Sequence, residues 1–225
     1  MADTSSGNRV SIWQLILIPS VISLAITLIR LIGELQNWPS ALFNKEPGGA
    51  GSIIGITWLA PIFGIYFALK LSGAGEGPEN RGRAIRLAIF GLALVFAGGF
   101  LGFAPQIDFP GKQAVGLLLI VAAVAFQYVA WPKLFKTLLA YGYAARIPVA
   151  ILMFFAIRGN WGTHYDVVPP GFPPDTGFWA KYFQIAFLPQ MILWIAFTII
   201  TGSLCGSIAA GIAHRRKPSA HTARA

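Results

Sequence analysis

The chain has 225 residues, of which 56% are hydrophobic and 11% charged, with a mean hydropathy of +0.65. Soluble domains carry about 25% charged residues, so this composition excludes an ordinary water-soluble globule. The net charge of +9 does not point to nucleic acid, because the basic residues are scattered in short polar stretches instead of forming one stripe.

The apolar residues fall in long blocks, which indicates helical spans rather than the short alternating strands of an outer-membrane barrel. Crossing a hydrocarbon core about 30 Å thick takes roughly 20 apolar residues, and six blocks meet that measure. Residues 1–11 form a short polar segment, and the block behind them is too long for a signal-peptide core, so it is read as an uncleaved first span over 12–32. Arg30 and Glu34 stand near its far end, four residues apart, on one helical face where they can pair. Such a pair either anchors the helix end structurally or acts as a coupling or gating pair.

The second span is expected over 52–71 and the third over 87–107, joined by the Gly-rich, charged stretch 72–84. The fourth is expected over 114–131, with Gln127 as its one strongly polar side chain. Between the third and fourth spans, Pro110 followed by Gly111 suits a type II turn, which predicts a tight antiparallel hairpin.

The fifth block, 137–157, contains Arg146 near mid-depth, where an unpaired charge is costly. Two geometries resolve this: an interfacial helix ahead of a bend at Pro148, or an internal Arg146 lining a polar cavity. The favoured expectation lies between them, with Arg146 reaching down to the interface. The polar, aromatic stretch 158–166 follows, then the Pro-rich run through Pro169, Pro170, Pro173 and Pro174. Here His164 and Asp166 can share a metal ion or a proton, or the stretch is a lid held at the interface by Trp161 and Tyr165.

The sixth block, 182–212, would be about 46 Å long as a straight helix, more than the core thickness. A bend at Pro189 is therefore expected, with 179–188 at the interface, an aromatic belt of Phe178, Trp179, Tyr182 and Phe183, and spanning by 190–212. Residues 214–225 form a basic tail, expected to be disordered at the cytoplasmic face; residues 12–213 form a single transmembrane domain.

Twelve of the seventeen Lys and Arg residues fall on one side of this arrangement: Arg9, Lys70, Arg81, Arg83, Arg86, Lys133, Lys136, Arg146, Arg215, Arg216, Lys217 and Arg224. By the positive-inside rule that side is cytoplasmic. The expected fold class is thus all-α, a polytopic transmembrane bundle of six spans with both termini cytoplasmic.

Helices in lipid associate where small residues let backbones approach. The pattern appears at Gly202, Gly206 and Ala210, at Ala60 and Gly64, and at Gly98 and Gly102. It serves packing within one bundle, or a seam between two copies along span six. Gln14, Gln127 and Gln190 with Pro19, Pro61 and Pro189 are candidates for interhelical hydrogen bonds and kinks, or for a polar pocket. No repeat of the first three spans is visible in the last three, and the similar positions of Pro61 and Pro189 in spans two and six give only weak support for a transporter-like internal duplication.

No His and no deep Asp or Glu lies in a span, which argues against intramembrane haem, HExxH zinc chemistry, serine protease dyads and carboxylate proton carriers. The lone Cys205 offers no disulfide or CxxC motif. No cofactor, metal or nucleic acid is expected. The leading expectation is a non-enzymatic multi-pass protein of a bacterial cytoplasmic membrane, acting by packing with itself, with lipid or with another membrane subunit. The alternative is a small-solute transporter or channel whose polar pocket lies at the proline-broken spans two and six.

Overall fold

The computed structural model describes residues 10–49, 52–104 and 106–215. Most of the polar N-terminal segment, with Arg9, and the tail beyond Arg215, with Arg216, Lys217 and Arg224, lie outside the described residues. Within them the protein is all-helical and without strands: α1 Ile12–Leu35, α2 Leu59–Gly73, α3 Arg81–Phe103, α4 Lys112–Ala130, α5 Pro132–Gly159, α6 Phe178–Tyr182 and α7 Trp194–Arg215. Two π-helical turns, Phe183–Phe187 and Pro189–Leu193, join α6 to α7.

Among the described residues, five helical segments are long and apolar enough to cross a bilayer: α1, α3, α4, α5 and the continuous run Phe178–Arg215. Their surfaces agree with their composition. Trp13, Ile18, Phe96 and Leu118 are each at least 67% exposed, and so many large apolar side chains in water would drive association. The protein is membrane-embedded by these criteria.

The second block departs from expectation. Its helix starts at Leu59 instead of Ser52 and runs only 15 residues, about 22 Å at 1.5 Å per residue. Pro61 explains the start: proline lacks an N–H and fits the first turn, where that donor has no intrahelical partner. Pro61 therefore opens α2 and interrupts no hydrogen bond within it.

Neither Pro148 nor Pro189 ends its helix. Helix α5 continues through Arg146 and Pro148 without a break, and the run after Gly177 continues through Pro189, with Leu188 in helical conformation (φ −64°, ψ −46°). A proline ring inside a helix clashes with the carbonyl four residues back. The wider π register on both sides of Pro189 accommodates it without ending the helix.

The chain divides into two compact units. The first holds residues 10–15, 60–138 and 198–215, and the second 16–59 and 139–197. In the first unit α3 and α4 form the expected hairpin. Lys112 N donates to Phe109 O at 3.2 Å, and Gly111 at φ 83°, ψ 8° occupies the third position of a type II turn. A Cβ on Gly98 would lie 2.6 Å from the Gly116 carbonyl oxygen, so the small residues permit backbone contact. Asn80 caps α3 by accepting from Arg83 N at 2.8 Å. In the same unit Gly64 faces the Gly202 backbone, and Gly206 faces Gly64 and Ala68. The small-residue ridge of α7 is thus engaged with α2 inside the chain.

In the second unit α1 and α5 end alike. Asn37 (φ 54°) and Asn160 (φ 47°) take the left-handed conformation, and the next residue reaches back five positions: Trp38 N to Gly33 O at 2.8 Å, Trp161 N to Ala156 O at 3.3 Å. These are Schellman ends, with Asn in the place more often held by Gly. They fix where the chain leaves both helices, and so where the loop after α5 begins.

Candidate functional site

The site lies in the second unit and starts from a stripe on α1. Ser23, Thr27, Arg30 and Glu34 recur at spacings of four, three and four, and all are buried. That spacing keeps them on one helical face. Ser23 Oγ donates to Pro19 O and Thr27 Oγ1 to Ser23 O, both at 2.9 Å. Ser23 Oγ also lies 2.8 Å from Tyr141 Oη on α5.

Glu34 is the node of the stripe. With no exposed surface, its carboxylate accepts from Arg30 Nε at 2.8 Å, from His164 N at 2.8 Å and meets His164 Nδ1 at 2.5 Å. The Arg30–Glu34 pair expected from sequence is present, and it extends to the loop after α5. Arg30 Nη2 also donates to Asn44 O at 3.0 Å. A buried carboxylate remains charged only with this degree of compensation.

The loop holds His164 in position with its own carboxylate. Asp166 Oδ1 accepts from Thr163 N at 2.8 Å and Thr163 Oγ1 at 2.7 Å, and Oδ2 from Gly162 N at 2.9 Å. Asp166 therefore closes a local turn while His164 faces Glu34. The two side chains put forward as sharing a metal ion or a proton engage different partners. Burial, reinforced by the Arg30 charge, pulls the His164 pKa below the ordinary imidazole value against the opposing pull of Glu34. Burial also raises the Tyr165 pKa, keeping its hydroxyl protonated to donate to Thr27 O at 3.2 Å.

Arg146 comes from the middle of α5 and is 5% exposed. The intermediate placement, with the guanidinium reaching the interface, is corrected: it is internal. Its Nη1 donates to Gln190 Oε1 at 3.3 Å, and its Cζ lies 4.5 Å from the centroid of the Trp194 ring. Gln190 Nε2 points to Met153 Sδ at 3.6 Å. Gln190 belongs to the π turn that Pro189 opens, so the altered register brings an amide to Arg146.

Arg30, Arg146, His164, Tyr165, Gln190 and Trp194 all line one cavity of about 380 Å³. That lies within the roughly 300–1,000 Å³ of small-molecule sites. Residues 55–57, ahead of α2, also contribute to its wall. This is the second of the two geometries considered for Arg146, the internal one.

Two of the amides lie elsewhere. Gln127, in the first unit, is buried and clamps α3 to α4, donating to Leu87 O and Ala123 O at 3.2 Å each. Gln14 is exposed on α1. The aromatic residues Phe178, Trp179 and Tyr182 gather around Phe154 of α5, with ring centroids 5.2–5.9 Å from it.

No known protein family, characterised protein or solved structure matches the chain. The geometry of the cavity therefore carries the functional argument. Sequence reasoning singled out Arg30, Glu34, Arg146, His164 and Gln190, and the structure brings these five together. It missed Ser23, Thr27 and Trp194. The 4-3-4 spacing of the α1 stripe was a usable signal for the first two. Nothing in the sequence marks Trp194 apart from the other tryptophans.

Proposed function

We propose that this chain is a six-span membrane protein, both termini cytoplasmic, that binds a small polar solute in the Arg146 cavity in the manner of a carrier or channel. The six-span count takes α2 together with residues 52–58 as one crossing, and the orientation rests on the excess of Lys and Arg on one side, which persists without the internal Arg146. One observation carries the reading: a guanidinium in mid-helix, almost fully buried, borders open space of small-molecule size and is held by an amide and an indole. Ionisable groups inside membrane helices are costly and mark solute pathways by default. The π turns next to the cavity support it too, because such turns recur at functional sites. Association through the span-six small residues is less favoured, since Gly202 and Gly206 already pack against α2.

Water access tests the proposal. In a Cys205→Ala background, Thr57→Cys and Ile185→Cys place thiols on the cavity wall, and Ile151→Cys, 54% exposed on α5, serves as the lipid-facing comparison. Thiols react as thiolates, which need water. The two cavity variants should react with a membrane-impermeant thiol reagent from one side of the membrane, and Ile151→Cys should not. Failure of both cavity thiols to react from either side would overturn the proposal.

A further inference from the structure

We propose that the cavity takes a small monocarboxylate with an apolar body, its carboxylate held by Arg146 and its body set against Met153, Val149 and Ile185. This inference rests on the reading of the cavity as a solute site and adds the class of solute.

The charge balance gives the sign. Arg30 and Arg146 place two positive charges on the cavity wall, and Glu34, bound to Arg30 behind that wall, offsets one of them, leaving +1. His164 does not alter this balance near neutral pH, since burial favours its neutral form. Asp166 is not among the residues lining the cavity, and its carboxylate faces the Gly162 and Thr163 donors of its own turn instead of either arginine. The two arginines are therefore unlike each other: Arg30 has its counter-charge in Glu34, whereas Arg146 has no carboxylate within ion-pair distance among the described residues and is bound through a neutral amide and a ring face.

The same balance sets the magnitude of the ligand's charge. A site with one surplus positive charge is neutralised by a monoanion, and a phosphate dianion would leave a net buried negative charge. Geometry selects a carboxylate. A guanidinium presents a planar fork of N–H donors that a carboxylate accepts through two parallel bonds. With the Trp194 ring centroid 4.5 Å from Cζ and Gln190 on Nη1, the remaining N–H donors of that fork are left for the ligand. Gln190 and the Tyr165 hydroxyl border the same space.

The remaining wall is apolar, with Ile56, Val149, Met153 and Ile185. A bare inorganic anion would leave these side chains in contact with water or empty space, so the wall calls for a hydrocarbon portion on the ligand. Met153, unbranched and polarizable, suits the edge of an aromatic ring.

The test uses the full-length protein in mild detergent with three probes: 3-phenylpropionate, its neutral amide 3-phenylpropanamide, and inorganic phosphate, with affinities measured by calorimetric titration. The acid is expected to bind at least tenfold tighter than the amide and tighter than phosphate. Arg146→Gln should remove that preference, weakening the acid at least tenfold while leaving the amide within about twofold. Equal binding of acid and amide, or an acid unaffected by Arg146→Gln, would overturn the carboxylate assignment while leaving the cavity as a solute site. Preferential binding of phosphate would overturn it as well. If none of the three probes binds and the thiols at positions 57 and 185 are also unreactive, the underlying solute-site reading fails with it.

Discussion

Replacing Glu34 by Gln keeps the size and shape of the side chain and removes only its charge. In the wild type that carboxylate is completely buried and receives Arg30 Nε, His164 N and His164 Nδ1. An amide oxygen accepts part of this, but the amide nitrogen must then face a donor, and the buried Arg30 guanidinium loses its counter-charge. Breaking a buried ion pair from one side costs about 3–5 kcal/mol. For a chain of this length each kcal/mol shifts the melting temperature by about 2–4 °C, so Glu34→Gln should melt roughly 6–20 °C lower. The single cysteine, Cys205, gives a convenient assay: a thiol-reactive fluorogenic dye reports its exposure as the purified protein is heated. The double variant Arg30→Met with Glu34→Leu removes both charges and should recover more than half of the loss, since apolar replacements of a buried pair are often neutral. A Glu34→Gln protein melting within about 2 °C of wild type would refute the assignment of Glu34 as the node between α1 and the loop after α5.

The His164 imidazole is held neutral by burial, so its folded pKa lies below the value of about 6.5 of an unfolded chain. The unfolded state then binds more protons as pH falls, and stability declines from about pH 6.5 downward until the folded-state pKa is passed. Melting curves from pH 7.5 to 5.5 should fall more steeply for wild type than for His164→Gln; equal slopes would contradict this. Two adjacent glycines of α3 provide an internal comparison for packing. A Cβ at Gly98 meets the Gly116 carbonyl oxygen, whereas one at Gly99 meets nothing within 4 Å. Gly98→Ala should lose about 1–3 kcal/mol by overpacking, and Gly99→Ala should be neutral or gain up to about 1 kcal/mol from helix propensity, both read from thermal melts. Similar melting temperatures for the two variants would refute the α3–α4 contact.

The long apolar helices were legible because composition and block length alone determine them. The type II turn at Pro110 and Gly111 was equally legible, since fixed φ at one residue and positive φ at the next leave few other conformations. Helix ends were less so. Pro61 reads as an interruption when the block is judged by hydropathy, and as a start once its missing N–H is considered. Pro189 shows the opposite limit, because a π register is set by the neighbouring packing and has no sequence signature of its own. The candidate site was partly legible for a related reason. Buried charges such as Arg30, Glu34 and Arg146 are conspicuous in an apolar chain, so they were found. The Arg30–Glu34 pair was found as well, but its third member was not, because His164 is 130 positions from Glu34 and the pairing with Asp166, two residues away, was the nearer expectation. Trp194 escaped notice because an indole in a membrane helix is ordinarily a packing or interfacial residue, and only its place under Arg146 distinguishes it.

On the proposed reading, Arg146 is a buried cation whose counter-charge comes from a ligand. The most direct test of this is the melting temperature of ligand-free Arg146→Met. That substitution gives up one 3.3 Å hydrogen bond to Gln190 and the contact with Trp194, together about 1–3 kcal/mol. It also relieves the burial of a charge, which is worth several kcal/mol. The expected melting temperature is equal to that of wild type or a few degrees higher. A fall comparable to that expected for Glu34→Gln would contradict it, by showing that the guanidinium already has its counter-charge within the protein.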